Sequence, residues 1–212
     1  NKNVLNILSD ESFTAPLRLR RNNCGQSIAD PFSFPLTIKE QISAVYGHDL
    51  HISCLMVVRN QQSLLYSQYV EEYNLKKYKG IDILFNHDGS LDLCGYDIYN
   101  FFRYYEGLCS VFGEKNVNLL FFEDWIDNPD QFFSGIAKVI GVNKNKVGAL
   151  MSESHENKKE KNGYGTLTKD GTQIIPYLTQ AQKTQIREHF EDDCLKLQAK
   201  YSDRNLTRWG YL

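Results

Sequence analysis

Short apolar runs alternate along the chain with stretches in which apolar residues recur at helical spacing. Three runs lack a period of 3.6 residues and predict strands: Val4–Leu8, Ile52–Val58 and Val117–Phe122. The second run is apolar enough to predict burial on both faces of a parallel sheet. Five stretches predict helices: Ile38–Tyr46, Asn60–Tyr73, Ile98–Phe112, Phe132–Ile140 and Ile186–Tyr201. Because strands and helices alternate, the pattern indicates an α/β protein with a parallel sheet.

Residues with special backbone preferences mark where these elements begin and end. Glycines follow three of the predicted helices: Gly47, Gly113 and Gly141. Asn128-Pro129 is typical of a helix start, and Thr179 with Gln182 predicts a capping box before the last helix.

Three stretches between the predicted elements are irregular or loop-like by composition. Thr14–Pro35 carries prolines and an Asn-Asn-Cys-Gly turn, which indicates irregular structure. Lys76–Gly95 contains the turn-prone His-Asp-Gly-Ser sequence and predicts an exposed loop or lid, and Lys158–Gly171 is polar, basic and glycine-containing.

Composition and charge exclude several classes of protein. The chain has 212 residues, 42% of them hydrophobic and 24% charged, which is typical of a globular protein. Its 24 basic and 26 acidic residues leave a net charge of −2, which disfavours a general nucleic-acid or membrane-surface binder. Any anion site is therefore expected to be local. The apolar stretch Leu50–Val58 is far short of the ~20 residues of a membrane span.

The start of the chain and its cysteines indicate the cellular compartment in which the protein is expected. No signal peptide is visible after Asn1, and the five cysteines contain no C-x-x-C pair. We therefore expect reduced thiols in a cytoplasmic protein.

The ends of the predicted strands are the places to look for chemistry, because parallel α/β sheets bind ligands at the carboxyl ends of their strands. Arg59 follows one such strand, and Ser67 stands eight residues later in the predicted helix. A guanidinium forms bidentate, charge-assisted hydrogen bonds with a phosphate, and a serine hydroxyl adds a neutral one. The two side chains are therefore expected to reach one phosphate.

The segment Val58–Tyr69 resembles the 3′-phosphate motif of sulfotransferases that use 3′-phosphoadenosine 5′-phosphosulfate (PAPS), in which an arginine at a strand end is followed eight residues later by a serine. Asn118–Val142 is similar to a further block of that family, and Phe190–Asp193 with Leu206–Tyr211 resembles the tail of its bacterial members. The resemblance implies an α/β, P-loop-NTPase-like three-layer fold with a central parallel sheet flanked by helices. It also implies one domain spanning residues 1–212.

The resemblance assigns roles to particular residues. Arg59 and Ser67 would hold the donor 3′-phosphate. In the carbohydrate and bacterial branches of the family, a glutamate in the corresponding loop is commonly the catalytic base. Glu11, in the loop after the first predicted strand, would take that role, with Asp10 as the alternative. A basic, glycine-containing segment lies where the family often covers the 3′-phosphate and adenine: Lys158, Lys159, Lys161 and Gly163. A solvated loop is the alternative interpretation of that segment.

One part of the family pattern has no counterpart. The 5′-phosphosulfate loop, of the Lys-x-Gly-Thr-Thr type, should precede the first strand, and this chain has no such sequence. The resemblance therefore implies either an N-terminally truncated member of the family or a degenerate one, and the start at Asn1 rather than at a methionine favours truncation.

Three functions stay open from the sequence. The first is a PAPS-dependent sulfotransferase that acts on a carbohydrate or small-metabolite acceptor, releases adenosine 3′,5′-bisphosphate (PAP) and needs no metal. The others are a catalytically inactive binding or scaffold domain of the same fold and a P-loop kinase-like phosphotransferase, which would need magnesium. A zinc site at His48, His51 and Cys54 is disfavoured because four ligands at the spacing of a structural site are absent.

Overall fold

The computed structural model describes residues 34–47, 50–67, 85–86, 88–91, 99–153, 167–169, 172–174 and 178–212. The predicted strand Val4–Leu8 lies outside these residues. The chain divides into two compact units, the first made of Asn1–Val58 with Cys94–Gly148 and the second of Arg59–Leu93 with Ala149–Leu212.

The first unit contains a parallel strand pair, as the sequence predicts. Strand β1 (Cys54–Val58) pairs with β2 (Val117–Phe121) in a register that runs from Cys54 opposite Val117 to Val58 opposite Phe121. Side chains of a strand point alternately to opposite faces, and in β2 alternate side chains, those of Val117, Leu119 and Phe121, are buried.

The prediction that β1 is buried on both faces is wrong. Leu55 is 38% exposed and Val57 is 48% exposed, whereas Val58 at the end of the strand is buried. An apolar sequence shows that a strand tolerates burial on both faces, but tertiary packing decides whether both faces are covered.

Helices α1 (Phe34–Tyr46) and α3 (Phe101–Phe112) belong to the first unit and end where the sequence predicts. Helix α1 begins before the predicted start at Ile38, so the end of the stretch predicted to be irregular is helical. Pro35 permits this because proline is tolerated in the first turn of a helix. Four residues of α3 at helical spacing, which places them on one side of the helix, are buried: Phe101, Tyr104, Tyr105 and Leu108.

A short helix, α4 (Phe122–Asp127), follows β2 directly and was not predicted. The next helix, α5 (Pro129–Ile140), confirms both of its sequence signals. The Asn128 side chain accepts a hydrogen bond from the Gln131 N–H at 3.4 Å, and Gly141 ends the helix in the left-handed region at φ 68°.

Helix α6 (Lys144–Glu153) was also not predicted. The antiparallel strands β3 (Leu167–Lys169) and β4 (Thr172–Ile174) come next along the chain. The prediction of a loop over Lys158–Gly171 is therefore wrong at its carboxyl end. The sequence carries the signal that was overlooked, because Asp170-Gly171 between two threonine-containing segments is typical of a two-residue hairpin.

The second unit contains helix α2 (residues 61–67 among those described) and the long helix α7 (Gln180–Lys200). The predicted capping box of α7 is confirmed: Thr179 Oγ1 accepts from the Gln182 N–H at 3.2 Å, and the Gln182 side chain accepts from the Thr179 N–H at 2.8 Å. Buried apolar side chains of this unit include Leu65, Ile186, Phe190, Leu197, Leu206 and Tyr211.

The segment predicted as an exposed loop or lid contains the predicted turn. Asp88-Gly89 lies at its tip, where Gly89 has φ 82°, and Phe85 bridges to Leu91 in antiparallel fashion. Phe85 itself is buried, so this part of the segment is not fully exposed. Within the described residues, no helix is both long enough and apolar enough to cross a membrane.

Candidate functional site

Arg59 is the first residue after β1, and only Asn60 separates it from α2. Its side chain is half-buried, and its Nε donates a hydrogen bond to Ser63 Oγ at 3.0 Å. This bond spans four residues, or about one helical turn, and it holds the guanidinium against the first turn of α2. The orientation of the guanidinium plane is therefore tied to a regular element and not left to a flexible side chain.

Asn60 caps α2 and is itself buried, at 7% exposed. Its Oδ1 accepts from the Ser63 N–H at 3.1 Å, and its main-chain carbonyl accepts from the Leu64 N–H at 2.9 Å and from the Ser63 hydroxyl at 3.0 Å. An asparagine in this position satisfies one of the unpaired N–H groups at a helix start. Ser63 Oγ thus donates to Asn60 and accepts from Arg59.

The cap also reaches the end of the chain, because Asn60 Nδ2 donates to the main-chain carbonyl of Gly210 at 2.5 Å. Gly210 belongs to the C-terminal turn, which we define as residues 206–211. In this turn the Gly210 N–H donates to the Thr207 carbonyl and the Tyr211 N–H to the Leu206 carbonyl, both at 3.0 Å. Gly210 has φ 79°, a conformation that residues other than glycine rarely adopt.

Gln198 of α7 holds the start of the C-terminal turn. Its Nε2 donates to the carbonyls of Tyr201 at 3.3 Å and Arg204 at 2.8 Å, and its Oε1 accepts from the Leu206 N–H at 3.0 Å. One half-buried amide thus bonds to three main-chain groups in the stretch that follows the end of α7 at Lys200.

A second contact joins the first turn of α2 to α7. Gln61 is 3% exposed, and its Nε2 donates to Cys194 Sγ at 3.3 Å, while the thiol donates back to Gln61 Oε1 at 3.7 Å. Burial is the main cause that raises the pKa of the Cys194 thiol to about 12, so the thiol keeps its proton at neutral pH. The two adjacent residues at the start of α2 are therefore each bonded to the C-terminal part of the chain, Asn60 to Gly210 and Gln61 to Cys194.

Of the two residues predicted to hold a phosphate, one lies before α2 and the other lies within it. Arg59 lies at the strand-to-helix elbow, as predicted, and Ser67 lies in the last described turn of α2, where it is half-buried. Ser63 is in contact with Arg59, and the sequence reasoning missed it. Since Ser63 precedes Ser67 by four residues, the two serines share one face of the helix. That spacing was the signal available in the sequence.

The other predicted site residues lie outside the described residues, and their placement stays a prediction: Glu11 with its alternative Asp10, and Lys158, Lys159, Lys161 and Gly163. Of the zinc candidates, His48 also lies outside, and the exposed His51 pairs with Ser53 Oγ at 3.1 Å. In the part of the chain that the structure describes, no three metal-ligating side chains cluster.

The fold has a counterpart among solved structures. The crystal structure of a sulfotransferase from Alicyclobacillus acidocaldarius superposes with a TM-score of 0.51 and 16% sequence identity. The match covers 95% of this chain and 74% of that chain. At this identity the similarity shows the fold, which is sulfotransferase-like. No family model and no curated protein matches the chain.

Proposed function

We propose that this chain is a sulfotransferase that binds PAPS through Arg59 and transfers its sulfuryl group to a carbohydrate or small-molecule acceptor. One observation carries the proposal: an arginine anchored by Ser63 directly follows a parallel strand in a chain of sulfotransferase-like fold. The three-layer arrangement, a single domain over residues 1–212 and a cytoplasmic location are parts of the same proposal.

The chemistry of the elbow suits a phosphate monoester. A guanidinium is charged at every physiological pH and matches phosphate oxygens with parallel N–H bonds. Because Arg59 is half-buried and fixed through Nε, its charge is less hydrated and better oriented than that of a free surface arginine. Ser67 would add a hydroxyl from the face of α2 that also carries Ser63.

The transfer step follows from the proposed residues. The acceptor oxygen or nitrogen attacks sulfur, the bond between sulfur and the bridging phosphate oxygen breaks, and PAP leaves with that oxygen. The Glu11 carboxylate takes the acceptor proton. Lys158, Lys159, Lys161 and Gly163 would cover the 3′-phosphate and the adenine. Catalysis would come chiefly from positioning and charge, as in phosphoryl transfer, and it would need no metal.

Calorimetric titration with PAP and with adenosine 5′-monophosphate (AMP), which lacks the 3′-phosphate, tests the donor site. The Arg59→Ala variant should weaken PAP binding by about 1.5–3 kcal/mol, or roughly 10- to 150-fold, and should change AMP binding little. Arg187→Ala, which removes an exposed arginine of α7, is the matched control and should bind both nucleotides as the unmodified chain does. Unchanged PAP affinity in Arg59→Ala would overturn the proposal.

Activity tests the proposed base separately. With PAPS and a panel of carbohydrate and small-molecule acceptors, Glu11→Gln should lower turnover by roughly 10²- to 10⁴-fold while PAP affinity stays the same. Turnover that survives in Glu11→Gln and falls in Asp10→Asn would move the base to Asp10. Transfer that persists after chelation of magnesium would separate a sulfotransferase from a kinase.

A further inference from the structure

An unbroken path of hydrogen bonds leads from the C-terminal turn to Arg59. The Gly210 carbonyl accepts a hydrogen bond from Asn60 Nδ2. Asn60 in turn accepts two bonds from Ser63: its Oδ1 from the Ser63 N–H and its main-chain carbonyl from the Ser63 hydroxyl. Ser63 Oγ then accepts from Arg59 Nε. Every step involves a different donor and acceptor atom, so all of these bonds form at once. The path lies entirely within the second compact unit.

The residue type at position 60 is matched to this path. Serine, threonine and aspartate also cap helices, but they lack a side-chain amide donor. Asparagine alone among these residues supplies both the acceptor that starts α2 and the donor that reaches Gly210. Asn128, which caps α5, uses the same amide within its own helix start, where its Nδ2 donates to Gln131 Oε1 at 3.0 Å.

We propose that the C-terminal turn, acting through Asn60 and Ser63, positions the Arg59 guanidinium for recognition of the donor 3′-phosphate. This inference rests on the proposed function. Asn60, Ser63 and Gly210 are positioning residues: they fix the plane of the guanidinium and the start of the helix that carries Ser67. Bidentate binding depends on that plane, so a loss of alignment weakens the 3′-phosphate contact more than contacts to the rest of the nucleotide.

The ratio of PAP affinity to AMP affinity measures the alignment of Arg59 specifically. A general loss of structure would weaken the binding of both ligands alike and would leave the ratio unchanged. Asn60→Ser keeps a neutral cap and removes the donor to Gly210, and we expect it to lower the ratio by about fivefold, the effect of one hydrogen bond. The matched control, Asn128→Ser, removes the same group from a cap in the first unit and should leave the ratio unchanged. In the Arg59→Ala background, Asn60→Ser should lower the ratio no further.

If Asn60→Ser does not fold, a second pair of variants, at Ser63, tests the same positioning of Arg59. Ser63→Ala removes the oxygen that orients Arg59 and should lower the ratio by a similar factor, whereas Ser63→Thr keeps the hydroxyl and should restore it. An equal ratio in Ser63→Ala and Ser63→Thr would overturn the inference.

The outcomes separate the two proposals. If the unmodified chain binds PAP and AMP equally, or if Arg59→Ala leaves their ratio unchanged, the proposed function fails and the inference fails with it. If Arg59 is required for the preference but Asn60→Ser keeps the full ratio, the inference alone is overturned. A drop in the ratio that persists in the Arg59→Ala background would also overturn it, since the effect would not pass through the arginine.

Discussion

The side-chain amide of Asn60 donates a hydrogen bond to the main-chain carbonyl of Gly210, which lies 150 residues later in the sequence. The same amide group caps the helix that follows β1. The start of α2 and the last residues of the chain therefore stabilise each other, and the arginine proposed to bind the donor lies directly beside this contact. A change that destabilises the C-terminal turn is therefore also expected to weaken the positioning of Arg59.

Gln198 bonds to three main-chain groups at and just before the start of the C-terminal turn. Gln198→Ala removes bonds to three main-chain groups, and we expect it to lower the free energy of unfolding by about 1–3 kcal/mol in urea titrations. Gln198→Glu keeps an acceptor for the Leu206 N–H but places carboxylate oxygen near two carbonyls, so it should be at least as destabilising at neutral pH.

Gln185→Ala is the control for that experiment, because Gln185 is also a half-buried glutamine of α7. It should change the free energy of unfolding by less than about 0.5 kcal/mol. Equal effects of the two alanine variants would contradict the role given to Gln198.

The free energy of unfolding is expected to fall at alkaline pH because two thiols, one half-buried and one buried, resist ionisation in the folded state. Burial raises the pKa of the Cys194 thiol from 9.0 to about 12 and that of the Cys54 thiol from 9.0 to about 11. Since the folded protein holds these protons more tightly, their contribution is complete below pH 9 and is lost as the pH rises toward the folded values. Urea unfolding at several pH values between about 8 and 10.5 measures this slope.

Cys194→Ala should flatten the dependence of unfolding free energy on pH, in addition to any loss of stability that is independent of pH. The comparison uses slopes, so the cavity left by the smaller side chain does not affect it. Parallel slopes for the variant and the unmodified chain would show that Cys194 ionises alike in the folded and unfolded states.

Gly135 of α5 allows the helix to approach β2 closely. A Cβ atom at this position would lie 2.5 Å from Leu120 Cδ2, so Gly135→Ala forces the leucine to move and should cost about 1–2 kcal/mol of stability. In a Leu120→Ala background the added methyl group has room, and the same substitution should then cost much less. A double-mutant cycle by thermal unfolding measures the coupling, and additive effects would show that the two residues do not oppose each other.

Much of the fold was predictable because its signals are local. The glycine after α5 and the Asn128-Pro129 start depend on backbone preferences of single residues, and the capping box of α7 depends on residues three apart. The strand-to-helix elbow at Arg59 was predictable for the same reason: the hydrophobic period changes within a few residues. The hairpin at β3 and β4 also had a local signal, which the polar composition of its surroundings obscured.

Other features depend on contacts that sequence periodicity does not encode. The exposure of Leu55 and Val57 depends on what packs over β1, and the bond from Asn60 to Gly210 joins residues at opposite ends of the second unit's sequence. The eight-residue spacing indicated Ser67 and not Ser63, although a serine one helical turn after an arginine is also within reach of its side chain. The placement of Glu11 is a prediction of the resemblance, because Glu11 lies outside the described residues.

The most direct test of the donor site is phosphorus NMR of bound PAP, whose 3′- and 5′-phosphates give separate signals. The second pKa of a phosphate monoester is about 6, and a neighbouring guanidinium favours the dianion and lowers that pKa. In the complex with the unmodified chain, the 3′-phosphate should therefore titrate at lower pH than in free PAP, and Arg59→Ala should move it back toward the free value. A shift confined to the 5′-phosphate, or a 3′-phosphate pKa that Arg59→Ala leaves unchanged, would contradict the account.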